Sequence, residues 1–375
     1  TRKFFPLDEH ARWIESSRKF GVSTNRAEMA TAMLADLAKY REALSEFAEA
    51  AKLPYYQTRT NCDVETVIRS DQPESVLLER VHFIFALRAS AALATGDHDA
   101  AAVDVLTGLR LARLARQTLD ARAALRQQIL LVRTLQPLWE GMCEQRWTAT
   151  ELTQFESELR RFTLLTDYTN DVRRVVQAHL QLWSRFPDLP SHLRQIPSSN
   201  GNSYSTRSHW QHEPGNWWYE RCRLLHAAGE RAIAKLDIEN GWASLDRGTD
   251  YLHDLPLNDD VFTLLQPYPW NNPRPTTLAF AQAALNQALI ACALERYRLA
   301  RGSYPEKLSQ LVSEYLPEIP PDPVARRPMS YERNPAGRYT LRSFGVDRED
   351  DRVRKVNDDW LWTYPTNQPS VGPGK

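Results

Sequence analysis

The sequence has no surplus of charge. Its 375 residues hold 47 Lys and Arg against 47 Asp and Glu, a formal net charge of zero. A dedicated nucleic-acid binder needs a clustered positive excess to meet phosphate, and a polybasic membrane-surface protein needs one to meet anionic lipid, so neither class fits. Cysteine is scarce: Cys62, Cys143, Cys222 and Cys292 lie far apart, with no C-x-x-C spacing and no histidine at finger distance. That pattern does not read as a zinc site, and each thiol is expected to pack as a small buried hydrophobe. Long apolar runs are missing too. No stretch reaches the roughly 18 consecutive apolar residues of a spanning helix, and the first residues are polar, without the apolar core of a signal peptide. Gly-rich phosphate loops, G-x-S-x-G and recognisable Cys/His pairings do not occur, so no catalytic residue is assigned.

What is present is ordinary globular composition, 42% apolar and 25% charged, which excludes wholesale disorder. Apolar residues recur at three- and four-residue steps along most of the chain, so the reading is mainly α. Helices are expected over 26–52, 75–95, from about Asp99, over 119–146 with Pro137 kinking or breaking it, from Thr148-Ala149-Thr150-Glu151 (a capping box) onward, over 168–183 and from about 217. Gly96 closes the second of these with a left-handed residue. Ala89–Ala101 resembles the helix–turn–helix joint of a tetratricopeptide repeat over a single copy; a generic helical hairpin is the alternative. Residues 186–216 form a long Pro-, Ser-, Asn- and Trp-rich loop. A Pro- and Asn-rich stretch at 254–276 separates a helical, hairpin- or solenoid-like domain (1–270) from a small α+β domain (277–364), followed by a flexible tail (365–375).

The second domain opens with a helix over 277–300 whose inner face is Leu278, Ala281, Leu285, Ala288, Leu289 and Cys292. Gly302 ends it, Pro305 suits the first position of a short new helix, and three strands are expected at 328–333, 338–344 and 360–364, making a small antiparallel sheet. In order along the chain stand Gly302, Tyr304, Pro305, Leu308, Leu311, Pro321, Asp322, Pro323, Tyr339, Leu341, Ser343, Gly345, Asp347 and Asp359. In this order and spacing, residues 280–364 resemble the globular part of the major pseudopilin of type II secretion. The resemblance implies that the acidic loop binds calcium through Asp347 and Asp359, with Asp350, Asp351 and Asp358 as further ligands; carboxylates on one loop supply the oxygens calcium takes. The alternative is a metal-free salt-bridge cluster with Arg348, Arg352, Arg354 and Lys355. The loop departs from the family in having no glycine between Gly345 and Trp360. The preceding helix is read as too short and interrupted to span a membrane, so a fibre subunit is not expected. The layout is similar to bacterial envelope proteins in which an anchor precedes a helical region and a pseudopilin-like tail, and the anchor is expected upstream of Thr1.

Trp210, Trp217, Trp218 and Tyr219 crowd one loop, and aromatic rings of this kind serve partner binding or plug a core. His209, His212 and Glu213 lack a third metal ligand. Asp237 with Glu239, and Asp254 with Asp259 and Asp260, are read as solvated acids or helix caps rather than a glycosidase pair. The functional expectation is a non-enzymatic scaffold on the periplasmic side of the bacterial envelope, taking a protein or peptide partner and no nucleic acid, with calcium in its C-terminal domain. The alternative is an envelope hydrolase acting on a glycan or peptide through the Trp-rich loop and nearby carboxylates.

Overall fold

A computed structural model describes residues 2–3, 26–55, 73–118, 122–184, 223, 226–227, 229–231, 233–243, 275–334, 337–345, 348 and 359–364. The chain is mainly helical, with a small sheet near its C-terminal end. The first helical stretch is two helices, α1 (Arg26–Leu37) and α2 (Arg41–Ala50), joined by a 3-10 turn at Ala38–Tyr40.

Helices α3 (Pro73–Thr95) and α4 (His98–Leu114) form an antiparallel hairpin. Its joint is built from two local rules. Gly96 takes φ +86°, Asp97 N–H reaches Ala92 O at 2.9 Å and Gly96 N–H reaches Leu93 O at 3.1 Å, which satisfies the last carbonyls of α3. Asp97 then caps α4, accepting from Ala100 N–H at 3.1 Å.

Helix α5 (Ala123–Cys143) runs through the middle of the bundle and is buried on most of its surface. Leu130, Leu131, Leu135 and Leu138 are fully enclosed, and truncating any one to Ala costs about 2–5 kcal/mol. Pro137 lies inside this helix, which continues to Cys143 instead of breaking there. Beyond it, Trp147 folds back over Gly141, donates to Leu138 O at 2.8 Å, and meets Phe155 edge-on at 5.1 Å. Helix α6 (Ala149–Leu159) opens on the expected capping box: Thr148 N–H donates to Glu151 Oε2 at 2.7 Å and Glu151 N–H to Thr148 Oγ1 at 3.3 Å. Helix α7 (Leu164–Ser184) follows.

A two-residue hairpin, β2 (Leu236–Asp237) and β3 (Trp242–Ala243), precedes helix α8 (Pro275–Arg301). The expectation for α8 is corrected. It is 27 residues, about 40 Å long, and by length and composition could cross a membrane. Protein covers 83% of its most apolar window, so it serves as a core helix. One side packs on α5, α6 and α7, another on the sheet, and a continuous hydrophobic cluster runs through both. Alanines at 279, 281, 283, 284, 288, 291 and 293 permit that close approach. Gly302, at φ +79°, ends it as expected. The short helix anticipated from Pro305 appears as a 3-10 turn at Leu308–Leu311.

The sheet contains β4 (Ser330–Arg333), β5 (Tyr339–Ser343) and β6 (Trp360–Trp362), in antiparallel succession. Tyr339, Leu341 and Ser343 alternate inward on β5, as period two requires. A two-residue β1 (Arg2–Lys3), absent from the sequence reading, adds in parallel beside β6, giving the order β1-β6-β5-β4.

Candidate functional site

Two regions around the C-terminal sheet carry chemistry. The first is the root of the acidic loop. Asp322, in the Pro-Asp-Pro turn, is fully buried. Its Oδ1 accepts from Val324 N–H at 2.8 Å and Ala325 N–H at 2.9 Å, and its Oδ2 accepts from Phe344 N–H at 2.8 Å. One carboxylate therefore pins the turn to the end of β5, where Gly345 at φ +61° releases the chain. The Arg327 guanidinium lies 3.8 Å from the centre of the Phe344 ring and donates to Arg348 O at 3.3 Å. The chain returns at Asp359, fully buried, whose Oδ2 accepts from Arg342 Nη1 at 2.6 Å.

Of the five acids expected to bind calcium, Asp359 is described and Asp347, Asp350, Asp351 and Asp358 lie outside the described residues. Asp359 faces the Arg342 guanidinium through its Oδ2. Trp210, Trp217, Trp218 and Tyr219 lie outside the described residues, as do His209, His212, Glu213, Asp254, Asp259 and Asp260. Asp237 closes a local turn, accepting from Asn240 N–H at 3.1 Å and Asn240 Nδ2 at 2.9 Å. Those bonds, with the amide side chain the larger, hold its carboxyl below the usual range. Cys143 and Cys292 are free and buried, and burial pushes the Cys143 thiol up to about 11. Cys62 and Cys222 lie outside the described residues.

The second region is the joint between bundle and sheet, which the sequence reading missed. Arg338, at the start of β5, donates to Met142 O at 3.3 Å and Cys143 O at 2.6 Å, the last carbonyls of α5. A cation at a helix C-terminus also meets the negative end of the dipole. Trp139 donates to Thr363 O at 3.0 Å and stacks on Tyr364, ring centres 6.2 Å apart. Asn286 donates to Pro321 O at 2.8 Å, and buried Gln287 to Trp360 O at 2.9 Å. Beneath these, Tyr304 and Arg298 donate to buried Glu295 at 2.6 Å and 2.9 Å, and Tyr339 and Tyr364 share a hydrogen bond of 2.7 Å. Burial, the largest influence, raises the Glu295 carboxyl and the Tyr304, Tyr339 and Tyr364 phenols above their ordinary ranges. These groups are enclosed and mutually bonded, so the arrangement suits holding the helices and the sheet together. A signal for Glu295 was present: it lies three residues beyond Cys292 on the inner face already traced along α8.

Elsewhere, Arg173, Gln177, His226 and Glu230 line a surface depression of about 250 Å³, open solvent included, where ligand pockets run to about 300–1,000 Å³. No family model, curated protein or solved structure matches the chain.

Proposed function

We propose that the chain is a non-enzymatic scaffold or adaptor on the periplasmic side of the bacterial envelope, which holds a protein or peptide partner and is linked to secretion or pilus-like machinery. The observation that supports this reading is the joint. Arg338 bonded to the end of α5, and Trp139 bonded to Thr363, tie the helical bundle to the sheet from which the acidic loop leaves. A joint of this kind suits a part that fixes one binding surface relative to another. The pseudopilin resemblance is the ground for the compartment and the machinery. Calcium in the acidic loop would be held by Asp347 and Asp359, with Asp350, Asp351 and Asp358 as further ligands and Arg342 sharing the Asp359 carboxylate.

The test is site-specific photocrosslinking in bacterial cells from Val103 and Ile129, 57% and 45% exposed on the bundle surface. A discrete protein adduct in the envelope fraction is expected. Recovery of the protein solely from the cytosolic fraction, or no adduct from either position, sinks the reading.

A further inference from the structure

The zero net charge of the chain conceals a local excess. Arg110 and Arg113 on α4, and Arg116 in the 3-10 turn Ala115–Gln117 that follows, recur at three-residue steps and so share one helix face. Arg161, just beyond α6, joins them from a second element: it and Arg110 converge on Glu158, at 3.4 Å and 2.9 Å. Arg116 pairs with Asp167, whose Oδ2 is also taken by Gln127 Nε2 at 3.0 Å and Thr163 Oγ1 at 3.1 Å. Three of the four guanidinium groups thus pair with two carboxylates, and both carboxylates are occupied.

Arg113 is the one left over. Its Nε is buried with no hydrogen-bond partner, and among the described residues it makes no ion pair. Burial depresses its pKa first, Arg161, Arg116 and Arg110 depress it further by repulsion, and Glu158 opposes them. A basic residue in the last turn of α4 has a helix dipole to complement, but that does not explain Arg161 arriving from another helix. A half-buried guanidinium whose nearby acid, Glu158, is already shared by two other arginines is better met by a further anion, and its planar fork matches a carboxylate.

We propose that Arg110, Arg113, Arg116 and Arg161 form a docking surface for an acidic segment of a protein partner. Arg116 and Arg161, with side chains 44% and 58% exposed, make an accessible rim around Arg113. Arg110 and Arg116 stand about 9 Å apart along the helix axis, a span that two or three residues of extended chain cover. A run of closely spaced carboxylates fits this length better than a single small oxyanion does. The nature of the occupant rests on the scaffold reading; the surface is tested separately from it.

The test is fluorescence anisotropy of a labelled oligoglutamate peptide titrated with the intact protein at low salt. Saturable binding is expected, weakening as salt rises and falling at least about ten-fold in Arg113→Gln/Arg161→Gln. Should the double variant fail to fold by circular dichroism, Arg161→Gln, altered at an exposed position, carries the test with a several-fold loss. Arg333→Gln, on the edge strand β4 and paired with Glu306 instead of with the cluster's acids, leaves binding unchanged. Absence of saturation at millimolar protein, undiminished binding in the variants, or equal weakening by Arg333→Gln overturns the surface. Full displacement of the peptide by equimolar inorganic phosphate overturns the peptide assignment. The crosslinking experiment reads other positions, so either proposal can fail without the other.

Discussion

The Tyr304 hydroxyl donates to Glu295 Oε1 at 2.6 Å inside the protein, nine residues along the chain and across the end of α8. This bond helps a carboxylate survive in a site where water is excluded. Tyr304→Phe removes it and is expected to cost about 2 kcal/mol, the range for a hydrogen bond to a charged group. Burial holds the Glu295 carboxyl above its ordinary range, so between that range and its native value the folded state keeps a proton that the unfolded chain has released. Its contribution is therefore full below the ordinary carboxylate range and is lost as pH rises through the native value. Urea unfolding of Glu295→Gln should gain on the wild type as pH rises, and a difference independent of pH refutes this assignment.

His82 behaves with the opposite sign. It is fully buried, its Nε2 2.8 Å from Thr134 Oγ1, and burial lowers its pKa from 6.5 to about 3. The unfolded chain binds a proton in that interval that the native state does not, so stability is present above 6.5 and is lost as pH falls towards 3. The expected slope is about 1.4 kcal/mol per pH unit. Acid titration of unfolding free energy in His82→Gln should lack that slope; retaining it would assign the effect to another group.

Gly141 has no freedom to carry a side chain. A Cβ there would stand 2.1 Å from Trp147 Cε2, so Gly141→Ala must expel the indole from its seat against α5. A loss of about 3 kcal/mol is expected, with a red shift in tryptophan emission. Gly96→Ala differs in kind: nothing lies within 4 Å, and only φ +86° opposes it, at about 1–2 kcal/mol. Equal costs for the two variants would contradict the close approach.

Arg342→Gln takes away the guanidinium facing buried Asp359, and breaking such a pair is expected to cost about 3 kcal/mol. Thermal melts with calcium and with EDTA separate the two ways of neutralising the acidic loop. A midpoint raised by calcium supports the ion at Asp347 and Asp359, with Asp350, Asp351 and Asp358; an unchanged midpoint removes it.

Much of the local structure was legible. The Thr148–Glu151 box, the Gly96 and Gly302 helix ends and the alternation along β5 depend on neighbours in sequence, and each appears where its pattern stands. The stretch at 26–52 was less legible because a single 3-10 turn leaves the apolar period nearly intact. Of the two outcomes read for Pro137, a kink or a break, the break does not occur: a proline removes one helical bond, and packing over most of α5 holds the helix together. Of the candidate site, the buried role of Asp322 and the pairing of Asp359 with Arg342 were not readable, because each partner comes from another segment.

By itself the sequence determined the mainly helical class, the small C-terminal sheet and the places where helices stop, because propensity, period and capping act within a few residues. Tertiary structure alone decided that α8 serves both the bundle and the sheet, that Arg338 closes the end of α5 some 195 residues earlier, and that four arginines gather around two acids. Burial and charge pairing depend on distances in space, and a neutral total says nothing of where its charges meet.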